Sequence, residues 1–104
     1  MDIQEIYKQA VASSIWRVAP VTQESQIRLT NWSIKQTNDG NYFVGTREDG
    51  TGRVSTQIVT FDESTKKGIT KSGRVYELVG QEGYSSNGEY VWSYYKEANK
   101  LTEI

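Results

Sequence analysis

A chain of 104 residues with 12 basic and 13 acidic side chains has a formal charge of −1, and it contains no cysteine and no histidine. Disulfides, thiolate zinc sites and cysteine nucleophiles are thereby excluded, and so are the commonest general base and the usual pH switch. Near-neutrality leaves no global field to attract nucleic acid or an anionic membrane, and the length suits a single domain over residues 1–104.

Only 36% of the residues are hydrophobic, so the core is modest; 3 Trp, 7 Tyr and 2 Phe offset this with large apolar areas that fit a pleated surface. The opening Met-Asp-Ile-Gln-Glu-Ile has no basic region and no apolar run, and no segment approaches the roughly 20 apolar residues of a membrane span. A soluble, cytoplasmic protein is the expectation, with no membrane contact. Ile3, Ile6, Tyr7, Ala10 and Val11 recur at spacings of three and four, with Asp2 as N-cap and Glu5 completing a capping box, which predicts a helix over residues 3–14.

Strand signals begin after Gln26. In residues 27–36 the apolar phase slips, with Ile27 and Leu29 on one parity and Trp32 and Ile34 on the other, so a bulge is expected near Thr30 and Asn31. Asn38-Asp39-Gly40-Asn41 predicts a tight turn into a strand over 42–47, and Glu48-Asp49-Gly50-Thr51-Gly52 a turn into 53–61. Residues 53–80 read as one long hairpin whose six-residue polar turn ends in Gly68, a residue able to take the positive φ that closes such a turn. Residues 80–89 read as a polar loop, with 85–88 its most mobile part, and 90–95 as the last strand. The fold class is therefore mainly β (α+β): an N-terminal helix followed by a five-stranded antiparallel meander, curled or barrel-like.

Three groups of residues are candidate sites. On a strand, Tyr90, Trp92 and Tyr94 alternate onto one face, which suits a protein interface or, with Arg28, Lys35, Arg47 and Arg53 nearby, the stacking of single-stranded bases. The bland alternative is that this face is the core. Thr70-Lys71-Ser72-Gly73-Arg74 offers phosphate contacts but lacks the glycine spacing and following helix of a Walker loop, so Gly73 is expected at a bulge and Arg74 beside Asp62 or Glu77. Glu48, Asp49, Asp62 and Glu63 lack calcium-loop spacing and read as turn residues, and the sequon at Asn31 falls inside a strand.

Through residues 55–62 (Ser-Thr-Gln-Ile-Val-Thr-Phe-Asp) and 70–78 (Thr-Lys-Ser-Gly-Arg-Val-Tyr-Glu-Leu) the chain resembles a hairpin of small uncharacterised bacterial proteins, often from mobile elements. The resemblance implies a β-hairpin and transfers no functional residue. With neither His nor Cys and only scattered carboxylates, function is expected to be non-enzymatic binding of a macromolecule, with no cofactor and no metal. The partner is a protein or a second copy paired along an exposed edge strand as a homodimer. A single-stranded nucleic-acid binder and a carboxylate-dependent enzyme stand behind it.

Overall fold

A computed structural model describes residues 25–104, which are mainly β. The helix expected over 3–14 lies outside the described residues. Within them the elements are β1 (Ile27–Thr37), β2 (Gly40–Thr46), β3 (Gly52–Val54), β4 (Ile58–Asp62), β5 (Lys67–Thr70), β6 (Val75–Leu78) and α1 (Ser86–Ala98).

The strands form one six-stranded sheet in the order β3-β2-β1-β6-β5-β4. Neighbours are antiparallel except β1 and β6, which run parallel through Ile27–Tyr76, Arg28–Glu77 and Leu29–Leu78. The expected five-stranded antiparallel meander is thus corrected to a mixed sheet. Its long strand, β1, serves two partners: Ile27 to Leu29 pair with β6, and Thr30 to Thr37 pair with β2. The register shifts between Thr30 and Ser33, and Asn31 takes φ 48°, a left-handed conformation that Asn tolerates better than most residues. This is the expected bulge, and it keeps Ile27, Leu29, Trp32 and the partly buried Ile34 on one core despite their change of parity.

The expected long hairpin is broken on both arms. Ser55, Thr56 and Gln57 separate β3 from β4, and a tight turn after Thr70, closed by Gly73 N–H to the Thr70 carbonyl at 2.8 Å, separates β5 from β6. Gly73, expected at a bulge, instead takes a positive φ (87°) in this turn. Between β4 and β5, Lys66 takes the left-handed φ (59°), while Gly68 lies within β5. Glycine is needed there for space, since a Cβ would stand 2.5 Å from Phe43 Cζ.

The short β3–β4 link determines the sheet's shape. Six strands laid flat span about 24 Å edge to edge, and a three-residue link reaches only about 14 Å. The sheet therefore curls until its edges approach, without closing into a barrel. Ser55 anchors the start of this link to β2: its N–H donates to the Phe43 carbonyl and its Oγ accepts from Phe43 N–H, each at 2.9 Å. Inside, Phe43 of β2 meets Phe61 of β4 at 5.7 Å and Tyr76 of β6 at 5.5 Å between ring centroids. Leu29, Trp32, Ile58 and Leu78 complete this core. On the other side of β2, Tyr42 and Val44 pack with Trp92 and Leu101 in a second cluster, so β2 is buried on both faces.

That second cluster contains the largest correction. Residues 90–95, expected as a strand, form the middle of α1. Ser85 caps the helix by accepting Gly88 N–H at 2.8 Å, Glu89 occupies the first turn and Lys96 the last, each suited to its end of the helix dipole. Gly88, Trp92 and Tyr95 follow at spacings of four and three, which places them toward β2. A Cβ on Gly88 would lie 2.9 Å from the Gly45 carbonyl, so glycine lets the helix settle close to the sheet. Among the described residues no helix is long and apolar enough to cross a membrane.

Candidate functional site

The helix redistributes the aromatic cluster predicted on a strand. At 100° per residue, a two-residue step turns a side chain to nearly the opposite side of the helix. Trp92 accordingly points in and is 2% exposed, whereas Tyr90 and Tyr94 point out at 65% and 61%. The bland reading holds for Trp92 and fails for its two neighbours.

Trp92 packs on Tyr42 (5.6 Å) and Tyr95 (6.1 Å), and its Nε1–H donates to Glu103 Oε1 at 2.6 Å. Lys96 Nζ reaches the same oxygen at 3.1 Å. The indole hydrogen bond, followed by that of the ammonium, holds the Glu103 carboxyl below its ordinary range. The tail is further secured by Asn38 N–H to the Thr102 carbonyl (3.0 Å), by Ile104 N–H to the Gln36 carbonyl (2.9 Å) and by buried Leu101. Burial raises the Tyr42 and Tyr95 hydroxyl pKa values, as expected of phenols packed in this cluster.

On the opposite face, Tyr90 and Tyr94 stand one turn apart with ring centroids 5.0 Å apart, edge to face at 72°, and hydroxyls 3.4 Å apart. Each ring limits the other's freedom, so the pair presents a preformed aromatic surface. Val91 is 36% exposed, and Tyr84, just before the helix, is 71% exposed. Two of the helix's three charges are paired, Glu89 with Lys35 at 2.7 Å and Lys96 with Glu103.

Three of the four cations expected near the aromatics are engaged by other side chains. Arg28 lies 3.4 Å from Glu77 and 3.9 Å from Glu48, Lys35 is bound to Glu89, and Arg53 Nε donates to the Tyr76 hydroxyl at 3.1 Å. Arg28 and Arg47 line a cleft of about 150 Å³ together with Gln26, Glu48 and Asp49. Arg74 is exposed on the β5–β6 turn and, among the described residues, has no carboxylate partner; Glu77, one of its expected partners, is held by Arg28 and by Ser25 Oγ at 3.0 Å. Beside it, Thr56, Thr70 and Ser72 join their hydroxyls at 3.2 Å across the two turns.

The acidic residues do turn chemistry. Asp49 Oδ1 accepts Thr51 N–H at 3.0 Å and Thr51 Oγ1–H at 2.6 Å, which lowers its pKa, and Asp62 Oδ1 accepts Ser64 N–H at 3.0 Å and its hydroxyl at 2.7 Å. Among the described residues no group of three or more acidic side chains is placed to hold a metal ion. The long exposed edge strand expected to pair with a second copy is also missing from them. The edges are β3, with three residues lying against the first turn of α1, and β4, with five. Comparison with protein-family models, curated proteins and solved structures finds no match for the chain.

Proposed function

We propose that this protein is a non-enzymatic binding module that docks a protein partner on the outward face of α1, with Tyr90 and Tyr94 as anchors. One observation carries the reading: two tyrosines, each more than 60% exposed, are locked edge to face on a helix whose other side is fastened to the core through Trp92. Tyrosine contributes a large contact area with few rotors to freeze and a hydroxyl that both donates and accepts, which is why it recurs among residues that dominate interfaces. A rigid scaffold beneath the pair reduces the entropy lost on docking. The pairing of Arg28 and Lys35 to carboxylates favours a protein over a nucleic acid here, because stacked bases need free cations beside them to meet their phosphates.

Replacing Tyr94 with the photo-cross-linker p-benzoylphenylalanine, and separately Lys71 on the exposed β5–β6 turn as control, tests the face in extracts of the source cells. A discrete adduct from position 94 and none from position 71 is expected. No adduct, or the same adducts from both positions, refutes the docking face. Single-stranded oligonucleotides should bind weakly at low salt; tight binding that collapses as salt rises would reassign the protein to nucleic acid.

A further inference from the structure

We propose that the partner docked on α1 is a second copy of this chain, set helix against helix in an antiparallel pair about a two-fold axis; the inference rests on the docking face argued above. A two-fold interface sets a patch against itself, so a charge on it meets its own copy unless the register separates them. From Ser86 to Tyr95 the outward arc of α1, with Asn87, Tyr90, Val91 and Tyr94, is uncharged, since Glu89 is turned to Lys35. A face of tyrosines is self-complementary, because each hydroxyl can donate to and accept from its copy.

The remaining charge selects the register. Glu97 is exposed, its carboxylate has no ionic partner among the described residues, and it stands in the last turn of the helix, where the dipole disfavours an anion. A parallel pair sets Glu97 against its own copy. An antiparallel pair with its axis beside residue 92 sets Tyr90 against the partner's Tyr94, and the same axis carries Glu97 to the partner's Asn87. There the positive end of the dipole receives a carboxylate, beside Asn87, whose Nδ2 donates to the Gly50 carbonyl at 3.0 Å. One axis satisfies both pairings. The helix is about 20 Å long, and a face of this size offers less than the roughly 800 Å² per partner of a standard interface, which places the dimer among weak, reversible assemblies.

Sedimentation equilibrium of the purified chain should show a concentration-dependent monomer–dimer equilibrium. Tyr94→Glu, on an exposed face, should leave the fold intact and raise the dissociation constant by about tenfold or more. Glu97→Lys should weaken the dimer, and adding Asn87→Asp to it should restore association. Positions 87 and 97 lie about 15 Å apart on one helix, so restoration arises only between copies. A chain that stays monomeric at every concentration overturns the proposal, as does a dimer indifferent to Tyr94→Glu. A double variant that associates no better than Glu97→Lys alone overturns the antiparallel register. A monomeric chain whose position 94 still cross-links to a protein of another mass overturns self-pairing and leaves the docking face standing; neither dimer nor adduct removes both.

Discussion

Gly68→Ala tests the curl of the sheet at its tightest point. The new methyl carbon would stand 2.5 Å from Phe43 Cζ, 2.9 Å from Cε2 and 3.0 Å from the Thr60 carbonyl oxygen. Carbon atoms rest at about 3.5–4.0 Å, so the ring must move by about 1 Å. Phe43 has no free side to move toward: it is fully buried, with Phe61 and Tyr76 against it. Overpacking of this kind costs about 1–3 kcal/mol, and replacing a strand glycine returns about 0.5–1 kcal/mol. A net loss of about 1–2 kcal/mol is expected. Phe43→Leu alone should destabilise by about 1 kcal/mol or more, but it vacates the space the methyl needs. The double variant should therefore lose less than the sum of the singles, by about 1 kcal/mol. Urea unfolding followed by the fluorescence of buried Trp32 and Trp92 reads all three values. A neutral Gly68→Ala, or strict additivity in the double variant, would mean that Phe43 does not fill the curl as the packing requires.

Gly73→Val should cost about 1–3 kcal/mol through backbone strain alone, since its φ is +87° and nothing lies within 4 Å of the added Cβ; an unchanged urea midpoint would refute this. Trp92→Ala should destabilise by about 3–5 kcal/mol, whereas Tyr90→Ala and Tyr94→Ala should change stability by no more than about 0.5 kcal/mol and weaken partner binding by about 2 kcal/mol or more. Equal destabilisation by all three would move Tyr90 and Tyr94 into the core. Because the folded-state pKa of Glu103 is depressed, its contribution to stability is present above the ordinary glutamate pKa and is lost as pH falls through the lower folded value. Glu103→Gln should therefore lose less stability than the parent between neutral and acid pH, and parallel pH profiles would refute the assignment.

What the sequence discloses here is local, and what it withholds depends on distant partners. The Asn38–Asp39 turn and the bulge at Asn31 each rest on a few contiguous residues with suitable backbone preferences: Gly40 and Asn31 take positive φ, and Thr37 Oγ1 accepts Asp39 N–H at 3.0 Å. The placement of β6 beside β1 has no such local cause, because it joins segments about fifty residues apart through the shared burial of Leu29, Tyr76 and Leu78. Likewise, Tyr90-Val91-Trp92-Ser93-Tyr94-Tyr95 is dense in strand formers, and its alternation of aromatics imitates a pleat. Two signals oppose that reading: Ser85 three residues before Gly88, where a capping hydroxyl stands, and the spacing Gly88, Trp92, Tyr95, which suits a helix face.

Packing decides between the two readings. On a strand, Trp92 would share a face with Tyr90 and Tyr94, and three large rings would have to find cover together. On a helix, Trp92 and Tyr95 reach Tyr42 and Val44 while Glu103 satisfies the indole N–H, so the second cluster closes with a single tryptophan at its centre. The two tyrosines left outside are a consequence of that choice. Burying Trp92 turns Tyr90 and Tyr94 to solvent, and their mutual contact preserves there a patch of aromatic surface that the core has no room to cover.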